Sequence, residues 1–594
     1  MPQFVLIDQS VKGPGGHHFD YARNVLLAAE AAGYEIALAT HHSFRRGDLL
    51  PESCAIYPYF RHTTYSRFTA FQSIPTDDDT TTGRGQPQFA ARGLRRRFLS
   101  QLFAGARRLF QSGPDRRIQR FARSCQRLFE QIELQPGSHV FLPTLSELDL
   151  AGLAGFLSEH PTSHRAHWHL QFHFNVFQGR EPDYAEQRHR LRQLQGRFAS
   201  TLATVPHHKL YCYTTSEGLA EQYGRLDVAE FLPLAYPINP VFHADLHRQR
   251  APGPRRIITA GAVRAEKGHG EIERLARRLA DRGLTAESCQ FIVQYKGSRA
   301  SERADWVEGP APAEAARTAP PISLAKHPLD LEAYTELIRD ADIGLCLYDS
   351  GRYYVRRSGV LCEFLSAGIP VIVPAGCWLS QQIAEPNERY LEALAAQLPT
   401  VARHDLGPAR CPAGTVADEL TIEVPSAARE AILVCQFPAD FPRGVFLRVD
   451  VTEWDTAARK SGHDAVILRP CWGGNLAHAM FHIGESAQRI AIRLSNAYHD
   501  APLNLSAVSV SWHGTPDGGQ TRPPLGCVGR IVADADYYDA AIAEMLQNYQ
   551  HYRDTARAFA TDWYAAHAPE RTLRQLIDRA EEPKPDSGTH RSAA

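Results

Sequence analysis

The chain has 594 residues, 43% apolar and 22% charged, with a formal net charge of −1. That length exceeds what one hydrophobic core supports, so several domains are expected, and the balanced charge excludes a chain-wide footprint for nucleic acid. Eleven cysteines without CxxC spacing indicate neither a disulfide framework nor a zinc site.

Phe4 to Asp8 is an apolar run of strand length. Gly13-Pro14-Gly15-Gly16 follows as a turn whose glycines let backbone come close to a ligand. Tyr21, Val25, Ala28 and Ala32 then recur at helical spacing, and Tyr34 to Thr40 is the next strand. This βαβ opening lacks GxGxxG, so a dinucleotide site is not expected. Gly15, Gly16 and His17 are candidates for lining a substrate-binding mouth. Residues 55 to 90 read as irregular loop. From Arg92 to Arg127 there are eleven arginines and one acidic residue, Asp115. The apolar residues Leu94, Phe98, Leu102 and Phe103 fall at helical spacing. Such a helix either packs on a core, the reading favoured here, or lies on an anionic membrane surface.

Further strands are expected at Val140–Leu142, His167–Phe174 and Leu210–Tyr213. His173, at a strand end, is placed to touch a sugar. Proline-rich residues 236–255 are a linker. A second α/β half begins at Arg256 with the strand Ile257–Ala260 and the loop Gly261–Gly268, which carries Arg264 and Lys267. Ala341 to Val373 then reads strand, cationic loop, helix, glycine stop, strand. Arg352, Arg356 and Arg357 crowd the loop, Ser358 and Gly359 open the helix, and Glu363 sits one turn in. Ligands of open α/β sheets bind at such strand ends, and amide-rich helix starts favour phosphate. A carboxylate one turn in is placed to accept two ribose hydroxyls.

Between 405 and 520, short alternating runs such as LTIEV, GVFLRVDV and SAVSVSW predict a β-sandwich. Trp454, Trp472 and Trp512 are candidate sugar platforms or, more commonly for tryptophan, core. The α/β signal resumes at Gly526, so the sandwich is an insertion. The expected division is 1–235, linker 236–255, 256–400 with 522–555, an inserted sandwich at 405–520, a helix at 556–580 crossing back, and a disordered tail at 581–594.

GAVRAEKG at Gly261–Gly268 resembles the G-R-x-x-x-x-K-G loop of retaining, family-4-like glycosyltransferases of the GT-B fold. ADIGLCLY to SGVLCEFLSAGIPVIV is similar to that family's E-x7-E and G-x-P-V-V signature. The resemblance covers about residues 1–395 and 522–580. It implies two Rossmann-like domains facing a cleft and a nucleotide-diphosphate sugar as co-substrate, with no other cofactor and no metal. It implies diphosphate contacts from Lys267 and from the amides of Ser358 and Gly359, a ribose contact from Glu363, and a sugar-side role for His173. Ala262 replaces the family's loop arginine, two residues before Arg264, and Val355 replaces its first glutamate. The implied activity is sugar transfer to a glycan, lipid-linked or small-molecule acceptor. The alternatives are a catalytically silent scaffold with a carbohydrate-binding insert, and a sugar-nucleotide epimerase. No apolar run reaches membrane-spanning length and MPQFVLIDQS is no secretory leader. The expected setting is therefore cytoplasmic; the less favoured reading of 92–127 adds peripheral contact with the inner membrane face.

Overall fold

The computed structural model describes residues 2–47, 49–65, 113–244, 246–248, 252–261, 265–268, 271–295, 320–326, 329–411, 419–471, 474–499, 501–514 and 522–582. Arg264, Trp472 and the stretch 92–112 lie outside them. The chain divides into two compact units. One holds Met1–Phe177, Gln187–Pro237 and Pro569–Ala594; the other holds Gln178–Glu186 and Ile238–Ala568.

The first unit is built on seven parallel strands: β1 (Gln3–Asp8), β2 (Glu35–His41), β3 (Ala55–Phe60), β4 (His139–Leu145), β5 (His167–Phe172), β6 (Lys209–Thr214) and β7 (Phe231–Pro233). Their order is β3-β2-β1-β4-β5-β6-β7, with Phe4 level with Ile36 and His139. Helices cover both faces of such a sheet, which is why β1 reads as an unbroken apolar run; Phe4, Val5 and Leu6 are fully buried. Ala55–Phe60, expected as loop, is an edge strand. Pro58 breaks its β signal, and an edge tolerates a residue that cannot donate to the ladder. The described part of the arginine-rich stretch is the helix Gly113–Phe129. It buries Phe121, Cys125, Leu128 and Phe129, and a Cβ on Gly152 would meet Phe121 at 2.9 Å. Arg117 pairs with buried Asp149 at 2.8 Å, so this segment packs on the core. The chain-terminal helix Pro569–Glu581 returns to this unit, and its Leu573 and Leu576 join the core of Val25 and Leu26.

The second unit holds six parallel strands: β8 (Arg255–Thr259), β9 (Cys289–Tyr295), β10 (Ile322–Lys326), β11 (Ile343–Leu345), β12 (Val371–Pro374) and, far along the chain, β21 (Gly529–Val532). Their order is β10-β9-β8-β11-β12-β21. Between β12 and β21 the chain builds two four-stranded antiparallel sheets. One orders β13 (Thr400–Cys411), β20 (Leu503–His513), β15 (Glu430–Gln436) and β18 (Leu476–His482). The other orders β14 (Leu420–Glu423), β19 (Arg489–Asn496), β16 (Leu447–Trp454) and β17 (Lys460–Leu468). One core joins Leu433 and Val510 of the first sheet to Val449 and Ile492 of the second. Two Rossmann-like domains with an all-β insertion in the second are thus present, as the alternation of patterns implied. Trp512 is fully buried in the insertion and its indole N–H donates to His404 Nδ1 at 2.8 Å; Trp454 is half-buried under Arg489.

One polar feature of the first sheet sets an acid limit. His139 on β4 and His169 on β5 share a hydrogen bond of 3.0 Å, and His169 reaches the Tyr213 hydroxyl at 3.2 Å. Burial, reinforced by His167, pushes His139 down to about 4 and His169 well below its ordinary value. A histidine depressed on folding binds more protons when unfolded. Its stabilisation is therefore intact above the unfolded value near 6.5 and is lost as pH falls toward 4. For His139 alone the loss amounts to roughly 3 kcal/mol across that window. Hydrogen exchange of β4 and β5, corrected for intrinsic rates, should show protection falling between pH 6.5 and 4.5, with a smaller fall in His139→Phe.

Candidate functional site

The candidate residues of the second unit gather at the carboxyl ends of β8, β11 and β12. After β8 the chain turns through Gly261 (φ 87°), a short 3-10 turn Ala265–Lys267 and Gly268 (φ 67°). Gly268 lies so close to the end of β11 that a Cβ there would stand 2.3 Å from the Leu347 carbonyl oxygen. The Asp349 N–H donates to the Glu266 carbonyl at 2.8 Å. These contacts tie the lysine turn to the loop after β11.

Lys267 is thereby aimed at one spot. Its Nζ lies 5.0 Å from the Tyr348 ring centre. A Cβ on Gly261 would touch Lys267 Nζ at 2.5 Å and Val360 Cγ2 at 3.2 Å, so Gly261 separates the lysine from the first turn of the helix Gly359–Ser366. Ser358 caps that helix, its hydroxyl accepting from Leu361 N–H at 3.3 Å. Tyr348 completes the group: it is buried, and that burial holds its pKa well above the usual range. The first amides of a helix have no intrahelical acceptor and carry the positive end of its dipole. An ammonium set beside them makes a site for an anion.

Glu363 lies one turn in, 8% exposed, and its Oε2 accepts from the Tyr334 hydroxyl at 2.5 Å. The three loop arginines differ. Arg352 is 64% exposed and sits 3.7 Å from Glu266, a weak surface pair. Arg356 lies 5.3 Å over the Tyr353 ring. Arg357 lies 5.7 Å over Trp378, and its charge, after burial, helps push His567 down to about 4. Val355 is buried between Tyr354 and this arginine pair in sequence, so no carboxylate enters the loop there. Two buried thiols underlie the strand ends. Lys267 acts on Cys346, which burial nonetheless raises to about 12; Cys377 is raised to about 11. These are inert, structural cysteines.

The first unit holds the other candidates. Gly15 (φ 104°) and Gly16 (φ 82°) take left-handed conformations before the helix His17–Ala31, and a Cβ on either would meet nothing within 4 Å. The His17 ring lies tilted against His18, centroids 4.1 Å apart. Sequence reading passed over His18, whose Nδ1 bonds Asp8 Oδ2 at 3.1 Å, because the two residues come from a strand end and a helix start. Tyr65, 44% exposed, lies 5.5 Å from His18. His173 stands apart from the His17–His18 pair in its bonding, its Nε2 meeting the Pro143 carbonyl oxygen at 2.6 Å. Tyr334 and Tyr348 were also missed; isolated tyrosines give no spacing signal.

A cavity of about 370 Å³ lies elsewhere in the second unit, between the helix Trp378–Gln397 and strands β17 and β18. Its wall includes Leu391, Phe446, Leu468 and the hydrogen-bonded pair His478–Glu388. Lys267, Ser358 and Glu363 are not among its lining residues. The cation and the helix amides converge instead at the strand ends. Among the described residues no group of three or more His, Cys, Asp and Glu is placed to hold a metal.

No protein-family model matches the chain, and no curated protein matches it. Solved structures do. An alpha,alpha-trehalose 6-phosphate synthase from Burkholderia multivorans is 11% identical with a TM-score of 0.42, over 64% of this chain and 86% of that one. The lipopolysaccharide outer core galactosyltransferase WaaB is 12% identical with a TM-score of 0.34, over 62% and 80%. The catalytic domain of starch synthase IV from Arabidopsis thaliana, bound to ADP and acarbose, is 9% identical with a TM-score of 0.36, over 64% and 84%. The Gly268 contact supplies a direct check on the site's scaffold. Gly268→Ala should lower stability by about 1–3 kcal/mol, through positive φ and the Leu347 clash, read as a lower urea midpoint of the second unit.

Proposed function

We propose that the chain is a glycosyltransferase that moves a sugar from a nucleoside diphosphate donor to a glycan or lipid-linked acceptor. The observation that carries this reading is the placement of Lys267 against the first turn of the helix Gly359–Ser366, with Gly261 between them and Glu363 one turn further on. A diphosphate needs cations and amide donors together; a nucleoside needs a partner for its ribose hydroxyls. Lys267 and the helix start meet the first need, and Glu363 with Tyr334 the second.

In the reaction the bond between the anomeric carbon and the diphosphate oxygen breaks, and its electron pair leaves on the phosphate. Positive charge grows on the ring and negative charge on the leaving group. Lys267 and the amides at Ser358 and Gly359 face that negative charge before it forms, so no solvent reorganisation is needed as it grows. In other enzymes each such donor is worth roughly 3–4 kcal/mol. The retaining outcome implied by the sequence resemblance places the acceptor oxygen on the face the phosphate leaves, with its proton passing to that phosphate. Because fixed cations neutralise the leaving group, turnover is expected to need no added metal and to survive chelation.

Gly15 and Gly16, where an added Cβ would meet nothing within 4 Å, and His17 are the proposed acceptor-side residues. No helix among the described residues is long and apolar enough to cross a membrane. Thermal shift with UDP, GDP and ADP should stabilise the full chain with one of the three, by about 2.7 kcal/mol at 100 times the dissociation constant. Glu363→Ala should weaken that binding at least tenfold, as expected for one charge-assisted hydrogen bond of about 1.5–3 kcal/mol. Lys267→Ala should lower kcat by about 10²–10³-fold. If none of the three nucleotides binds, the proposal fails.

A further inference from the structure

Beside the diphosphate-directed groups stands one more cation, Arg180, from the segment Gln178–Glu186 that belongs to the second unit. Its Nη2 donates to Ser350 Oγ at 2.7 Å, and its guanidinium lies flat on the Tyr498 ring, 3.5 Å from the centre. Tyr498 comes from the β insertion, just past β19, and its hydroxyl donates to the Ala375 carbonyl at the end of β12 at 3.0 Å. A Cβ on Gly376 would collide with that ring at 2.4 Å, so the insertion is fitted to this strand end. Ser350 in turn follows Asp349, whose N–H holds the Glu266 carbonyl next to Lys267. Lys267 and Arg180 thus stand at the ends of neighbouring strands.

The two cations differ in what they have to serve. Lys267, the helix start and the loop arginines already meet a diphosphate. Arg180 has no carboxylate paired with its guanidinium among the described residues, and its Nε is buried without an acceptor. Asp183, close in sequence, is engaged by the Arg180 backbone N–H at 3.0 Å and by His499 at 3.3 Å. The Arg180 guanidinium is half-buried, and its planar fork matches a carboxylate. The nearest acid of the loop, Asp349, has its Oδ1 engaged by the Gly351 and Arg352 N–H groups at 2.9 and 3.1 Å, and the loop continues as buried Tyr353, Tyr354 and Val355.

We infer that Arg180 reads a carboxylate on the transferred sugar, so that the donor class is a nucleoside diphosphate uronate. This rests on the diphosphate-site reading above and adds the identity of the sugar's charge. Tyr498 is a positioning residue: it holds the guanidinium flat and links donor choice to the inserted sandwich.

Calorimetry on the full chain separates the two levels. The probes are three series, UDP with UDP-glucose and UDP-glucuronate, GDP with GDP-mannose and GDP-mannuronate, and ADP with ADP-glucose and ADP-glucuronate, together with inorganic phosphate. In the series whose diphosphate binds, the uronate should bind at least about tenfold tighter than its neutral partner, and Arg180→Gln should abolish that preference. The variant's affinity for the nucleoside diphosphate reports whether the site is intact. Equal affinity for uronate and neutral sugar overturns the inference alone. So does a variant that loses nucleoside diphosphate and uronate together. Tighter binding of inorganic phosphate that depends on Arg180, without a uronate preference, overturns it in favour of an acceptor anion. Failure of every nucleoside diphosphate to bind overturns the diphosphate site and this inference with it.

Discussion

The second domain holds a lysine ammonium against the positive end of a helix. The arrangement persists because the backbone around it is over-determined. Gly268 is pressed to the Leu347 carbonyl, Glu266 accepts from Asp349, and Ser358 caps the helix. None of these contacts needs the lysine, so the charge is placed by a frame that stands without it. That separation of frame from function is what a binding site for a transient anion requires.

The frame follows from parallel-sheet geometry. Parallel strands bring every strand-to-helix loop to one edge of the sheet, and β8, β11 and β12 are adjacent in it. Their three following loops therefore meet without long excursions. Strand order alone brings Gly261, Tyr348 and Cys377 to that edge, although they lie far apart in the chain. The inserted sandwich then adds a residue from outside the α/β plan, Tyr498, to the same edge.

Much of this was legible from the residues. The runs Ile343–Leu347 and Val371–Val373 announced buried parallel strands, Ser358 and Gly368 bounded the helix between them, and alternating runs such as GVFLRVDV announced the sandwich. What escaped was decided by tertiary pairing. Ala55–Phe60 was hidden by Pro58, which only an edge position permits. The His18–Asp8 bond joins a helix start to a strand end, and the Arg180–Tyr498 stack joins a loop to an insertion. No local periodicity encodes such meetings. Trp512 illustrates the reverse: an aromatic residue that spacing offered as a sugar platform is filled in on all sides by the insertion's own core.

The route of the chain has a consequence for its synthesis. The first domain is begun by β1 at residue 3, yet its helix Pro569–Glu581 supplies Leu573 and Leu576 to the core around Val25 and Leu26. The second sheet likewise lacks its edge strand β21 until the whole sandwich has been made. Contacts so distant in sequence form late, because their closure entropy must be met before they are rewarded. As the polypeptide emerges from the ribosome, its opening sheet stays one helix short of completion until the whole second domain has been made.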